Sequence, residues 1–262
     1  DSMKSVRLIA IAGAAAAALV LTACGSGGQA STSSDSGGAA AGGEQRDLTF
    51  SMVVHSAPDG SFWNVVKKGA EDAAKQYGVK VNIVGDPEGA KQASLIEAEL
   101  AKKPDGLVVS MANPDALASS LKAATEAGVP FITINSGAEE SKAMGALEHI
   151  GQTETVAGQG AGQRLAEGGA KKLLCIVHEA GNIGLEQRCD GAAEAFGGSF
   201  EKLQVDLANP QGIEATVKSK LLGDNSFDAV LSLNPTVTTA TLAGMEAAGS
   251  TAELASFDID TD

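Results

Sequence analysis

At 262 residues the chain has room for one large domain or two lobes of roughly 100 to 150 residues. Hydrophobic residues make up 44% and aromatics only 3%, so a core must be built from Ala, Val, Leu and Ile, and each aromatic outside it is informative. A net charge of −14 argues against a nucleic-acid partner, which needs a basic face.

The chain opens with a basic pair, Lys4 and Arg7, followed by an apolar run from Leu8 to Leu21. That run is too short and Ala-rich for a membrane-spanning helix and reads as an export signal over residues 1–23. It ends in Leu21-Thr22-Ala23-Cys24-Gly25, which resembles a bacterial lipobox; the resemblance implies that Cys24 becomes the lipidated first residue after cleavage. Residues 24–46 are rich in Gly, Ser, Ala and Thr and read as a flexible tether, with a span of roughly 25 Å. A body held just outside a membrane is the expectation.

From Leu48 a β-then-α pattern repeats. Strands are expected at Leu48–Val54, Val79–Val84, Gly106–Val109, Phe131–Ile134, Leu173–Val177, Leu203–Val205, Ala229–Leu233 and Leu254–Phe257. Most are continuous apolar runs, as in parallel strands covered on both faces. After the first strand, Phe62, Val65, Val66, Gly69, Ala70, Ala73, Ala74 and Tyr77 fall on one helical stripe. Trp63 is one residue off that stripe, about 100° from Phe62. The phase therefore predicts Phe62 partly in the core and Trp63 directed at a crevice or solvent. Gly78 and Gly128 sit where helix C-caps are needed. Strand starts are evenly spaced except between Phe131 and Leu173, where Leu147–Gly151 reads as a linking strand before a helix from about 153 to 167. The expected fold is two doubly wound α/β lobes, residues 47–148 and 149–262, joined by a hinge.

Cys175 and Cys189 are the remaining cysteines, and outside the cytoplasm an even pair reads as a disulfide. Closing a loop of about 15 residues is worth roughly 3 kcal/mol in the chain-entropy model. Ligands of such sheets sit beyond the carboxyl ends of the strands. Those ends hold His55-Ser56-Ala57-Pro58-Asp59, Asn135-Ser136, His178-Glu179-Ala180-Gly181-Asn182, Asn234 and Asp258, rich in neutral and acidic hydrogen-bonding groups. A neutral polyhydroxylated ligand fits better than a phosphate. Gly181-Asn182 also reads as an ordinary turn. No catalytic constellation stands out: His178-Glu179 is not H-E-x-x-H, Gly158 to Gly162 follows no strand and instead suits close helix approach, and no cofactor or metal motif is found.

The segments SFWNVVKKGAEDAAKQYGVKV, PDGLVVSMANPDAL, AATEAGVPFITIN and ASFD resemble the periplasmic sugar-binding proteins of the ribose-binding type, with the type I periplasmic-binding fold, over residues 47 to 260. The resemblance implies a monosaccharide or similar polyol bound between the lobes, with Phe62 and Trp63 against the ring and Asp59 reaching its hydroxyls. Arg188, Asn234 and Asp258 match further polar contacts of the family. Asn135-Ser136 stands where many members have Asp-Arg, which removes a charged clamp. The implied role is a monomeric, lipid-anchored receptor on the extracytoplasmic face that delivers its ligand to an ABC permease by lobe closure. A signalling receptor of the same fold for a furanosyl autoinducer or nucleoside is the alternative, and a hydrolase with Asp59 or Asp258 as base is the enzyme reading set aside. The family normally recrosses to the first lobe after the position of Asp258, so the expectation for this C-terminally truncated stretch is an apolar edge on that lobe, a missing hinge strand and weak binding.

Overall fold

The computed structural model describes residues 45–56 and 61–258. Their strands form two all-parallel sheets. The first has the order β2-β1-β3-β4-β5, from β1 (Thr49–Val54), β2 (Lys80–Gly85), β3 (Gly106–Ser110), β4 (Phe131–Ile134) and β5 (His149–Ile150). The second has the order β7-β6-β8-β9, from β6 (Lys172–Val177), β7 (Ser199–Gln204), β8 (Ala229–Ser232) and β9 (Glu253–Ser256). Both therefore begin in the middle, add a strand on one side, then cross to the other. In each, the point where the order reverses lies beside its first strand, β1 or β6, and this is where such sheets bind ligands.

Helices α1 (Ser61–Tyr77), α2 (Gly89–Leu100) and α3 (Pro114–Glu126) connect the first four strands, and the single turn α4 (Ala138–Ser141) precedes β5. Helix α5 (Glu154–Glu167) carries the chain to the second sheet, where α6 (Ile183–Phe196), α7 (Pro210–Gly223) and α8 (Pro235–Ala248) connect the strands. The central strands β6 and β8 are almost wholly buried, as their continuous apolar runs require. One face of the second sheet packs Leu173, Cys175 and Val177 against Leu185, Cys189 and Phe196 of α6. The other packs Leu174 and Ile176 against Val217, Leu221 and Met245. Val53, Leu107 and Val109 meet Ile96 and Leu121 on the first sheet.

The Cys175–Cys189 bridge is formed and joins β6 to α6, with both cysteines fully buried. Expected and observed strands agree except at the sixth, which runs from Ser199 to Gln204 rather than from Leu203 to Val205. Its sequence, SFEKLQ, is charged and half exposed, as befits an edge strand, and that composition hid it. The expected lobe boundary falls early: His149 and Ile150 pair with β4, so they extend the first sheet. The expected tether runs too long, because Gln45 and Arg46 both hydrogen-bond to the Gly78 carbonyl. At the β5 edge, Leu147 and Ile150 are exposed.

Helix α1 turns differently from the expected stripe. Trp63 is 8% exposed and packs with Met52 and Val54, flanked by Phe62, Val66 and Ala70. Val65 and Tyr77 instead face outward at 73% and 54% exposure. Burying an indole removes more apolar area from water than burying a valine, so Trp63 sets the rotation of the helix.

Candidate functional site between the two sheets

The carboxyl ends of the two sheets face one another, and a histidine stands at each reversal point. His55 follows β1. Its backbone N–H donates to Ser110 Oγ at 2.8 Å, and its Nδ1 lies 2.7 Å from the same oxygen. On the other side of the ring, His55 Nε2 lies 3.4 Å from Asn182 Nδ2 and 3.6 Å from Glu179 Oε2. Trp63 meets His55 edge-on at 5.1 Å between ring centroids, and Phe62 meets Trp63 in the same way at 5.2 Å. His178 follows β6 and is 5% exposed. Burial pulls the pKa of His55 down to about 3, with His178 adding to the effect, and that of His178 down to about 4, with Arg188 adding. Both rings are therefore neutral at pH 7.

The polar wall of the second lobe is built on α6. Asn182 is its N-cap and accepts from Gly184 N at 3.0 Å. Asn182 Nδ2 also donates to Glu179 Oε2 at 2.6 Å. Burial raises the Glu179 carboxyl above the usual range, opposed by the Asn182 hydrogen bond and by Arg188. Six residues further along, Arg188 forms a bidentate pair with Glu154 of α5, through Nε to Oε2 and through Nη2 to Oε1 at 3.1 Å. Both side chains are buried, at 7% and 1% exposure. Arg188 also reaches the Leu233 carbonyl at 3.4 Å and lies 5.1 Å from the Phe257 ring centroid. The pair is possible because α5 and α6 almost touch: a Cβ on Gly158 would collide with the Arg188 carbonyl, and one on Gly191 with that of Thr155.

Asn135 and Asp258 occupy equivalent places, one residue beyond β4 and two beyond β9. Each has a φ of 63°, a left-handed conformation that is costly for a residue with a side chain and that concentrates at ligand sites. They line an inner cavity of about 40 Å³ together with Phe62, Trp63, Ser136, His178 and Arg188. Direct contacts close its rim. Ile183 N donates to the Ala112 carbonyl at 2.9 Å, Ser136 Oγ donates to Asn182 Oδ1 at 3.3 Å, and Gln187 Nε2 donates to Glu140 Oε1 at 3.4 Å.

The structure thus brings together Phe62, Trp63, Asn135, Arg188 and Asp258 from the expected set. Asp59 and Cys24 lie outside the described residues. Asn234 does not line the cavity; it caps α8 by accepting from Val237 N, as Asn113 caps α3 by accepting from Ala116 N. The two are counterparts, each followed by a proline at the helix start. Trp63 does not project freely but forms a buried wall. The cavity also draws on His55, Ser136, His178, Glu179 and Asn182, whose signal in the sequence was their position at strand ends. Glu154 carried no such signal, since only the α5–α6 contact brings it to Arg188. Among the described residues no cluster of three His, Cys, Asp or Glu side chains is placed to hold a metal ion, and no helix is long and apolar enough to cross a membrane.

Comparison with known proteins accords with this geometry. A structure of a carbohydrate transporter from Acidothermus cellulolyticus 11B in complex with myo-inositol is 37% identical, with a TM-score of 0.80, and the match covers 82% of this chain and 76% of that one. The ribose import binding protein of Bacillus subtilis (strain 168) is 32% identical over 101 residues, 38% of this chain and 33% of its own length. The D-allose-binding periplasmic protein of Escherichia coli (strain K12) is 31% identical over 156 residues, 55% of this chain and 50% of its own. The matches span between a third and a half of the curated relatives. The profile of the periplasmic binding protein domain matches residues 50–262, and with the paired sheets and shared cleft this places the chain in the periplasmic binding protein domain family.

Proposed function

We propose that the protein is an extracytoplasmic receptor that binds a neutral polyhydroxylated ring, a monosaccharide or cyclitol, between its lobes and delivers it to an ABC permease. The observation that carries this reading is the chemistry of the inner cavity. Among the described residues its one cation, Arg188, is already neutralised by Glu154, and both histidines are uncharged at pH 7. A phosphate or carboxylate would find no free positive charge there. A sugar ring presents apolar C–H faces, which suit Phe62 and Trp63, and a rim of hydroxyls, which suits Asn135, Asp258 and the Arg188 guanidinium. The names of the relatives, for ribose, D-allose and myo-inositol, belong to the same ligand class.

A cavity of about 40 Å³ holds a water or two, so the lobes must part for a ring to enter. The Cys175–Cys189 bridge keeps α6, and with it Asn182 and Arg188, fixed to β6 during that motion. The protein acts as a monomeric binder rather than an enzyme, and the lipobox-like stretch ending at Cys24 supports a lipid anchor. A thermal-shift screen of the full chain against free pentoses, hexoses, cyclitols and their phosphates tests the reading. A rise in Tm with at least one neutral ring and with none of the phosphates is expected; stabilisation by phosphates alone would refute it.

A further inference from the structure

The two sheets also face each other on the far side of the histidine pair. There a second space of about 920 Å³ opens, within the ~300–1,000 Å³ of small-molecule sites. It lies where the edge strands β2 and β7 end. Pro87 walls it from the first lobe, and Gln204, Asp206, Ala208, Asn209 and Thr216 wall it from the second. Among the described residues His55, His178 and Glu179 line both spaces, and they form a wall that the inner cavity and the outer chamber share.

The chamber has a definite chemistry. Among the described residues its lining contains two carboxylates, Glu179 and Asp206, and no Lys or Arg, so it disfavours anions. Pro87, Leu207 and Ala208 supply apolar surface beside the amides of Gln204 and Asn209. Asn209 Oδ1 accepts from Gly212 N, which leaves its amide N–H pair to donate. At the shared wall, His178 Nδ1 is buried without a hydrogen-bond partner among the described residues, and such an orphaned polar atom is costly unless something completes it. Apolar patches alternating with neutral and acidic hydrogen-bonding groups match a sugar ring as the inner cavity does, on a larger scale.

We infer that the natural ligand carries a second neutral sugar ring, held in this outer chamber while the first ring lies against Trp63, Asn135 and Asp258. The linkage between the rings passes the histidine pair, and its oxygens reach His178. The inference rests on the polyol-receptor reading above and extends it from a single ring to a glycoside.

Calorimetric titration of the full chain tests it, using free pentoses, hexoses and myo-inositol, each beside a disaccharide or glycosyl-inositol that contains it. Ala208→Trp and Thr216→Trp, both at exposed positions, fill the chamber without touching the inner cavity. The glycoside should bind at least about tenfold more tightly than its free ring. Either variant should erase that gain and leave the free ring within about twofold. Free rings that bind as well as or better than their glycosides would overturn the inference and leave the receptor reading intact. Variants that weaken the free ring as much as the glycoside would also overturn it, because the chamber would then be the site of the ring itself. If no neutral ring binds, alone or in a glycoside, the receptor reading fails and the inference falls with it.

Discussion

Arg188 is the one cation on the inner cavity among the described residues, and Glu154 determines what it can do. With its guanidinium held from one side, Arg188 presents a fixed donor edge rather than a free charge. Removing one partner of such a buried pair strands the other, so Glu154→Ala should cost about 3 to 5 kcal/mol of unfolding free energy in urea denaturation. A cost under about 1 kcal/mol would mean the pair is solvated, as surface pairs are. The histidines set the response to acid. In the unfolded chain each ring takes up a proton near pH 6.5, but in the fold only near 3 for His55 and near 4 for His178. The unfolded state therefore binds more protons between these limits, and stability falls as pH drops from about 6.5 towards 4, by up to about 1.4 kcal/mol per pH unit for each ring. Glu179, with its raised pKa, works the other way and offsets part of the loss. Thermal unfolding between pH 7 and 4 should show this slope, and His178→Gln should flatten it; an unchanged slope would remove His178 as its source. At this scale the sequence is only partly legible. Strand-end position identifies His55, His178 and Asn182 as residues near the cleft, but it cannot separate cleft-lining residues from helix caps: Asp258 lines the cavity, while Asn234 spends its side chain on a helix N-terminus.

At the scale of elements, the α5–α6 contact matters most, since Arg188 and Glu154 lie on opposite sides of it. Gly158 and Gly162 of α5 and Gly191 of α6 let the backbones approach to where no Cβ fits. Gly158→Ala should cost about 1 to 3 kcal/mol and separate Glu154 from Arg188. Gly160→Ala, whose Cβ would meet nothing within 4 Å, should be neutral or stabilising by up to about 1 kcal/mol. Equal effects in chemical denaturation would refute the close-packing account. The run from Gly158 to Gly162 made a close helix approach readable from sequence, but not that α6 is the partner. The rotation of α1 was not readable in the same way. Two overlapping stripes compete there, Phe62-Val65-Gly69 and Trp63-Val66-Ala70, and periodicity counts apolar residues without weighing the area each one buries. The edge strand β7 was displaced for a related reason: its charged residues face water, so its hydrophobic signal is weak.

Over the whole molecule, the repeated βα pattern makes the two-sheet architecture legible, because buried parallel strands must be apolar along their length. The meeting of the lobes is not legible, since it depends on Ile183, Ser136 and Asn182 across more than 40 residues of sequence. On the proposed reading, those contacts break when a ring enters. Asn182→Ala removes the side-chain bonds to Ser136 and His55 and a helix cap worth about 1 kcal/mol, so small-angle scattering of the ligand-free variant should give a larger radius of gyration than the parent. An unchanged radius would mean that the Ile183–Ala112 and Gln187–Glu140 contacts suffice to hold the lobes. The central claim, that a neutral polyol binds between the lobes, is tested most directly by titrating the fluorescence of Trp63, the single tryptophan in the chain, with neutral sugars, cyclitols and sugar phosphates. The account predicts a saturable change with at least one neutral ring and none with the phosphates; a response to phosphates with the neutral rings silent would contradict it.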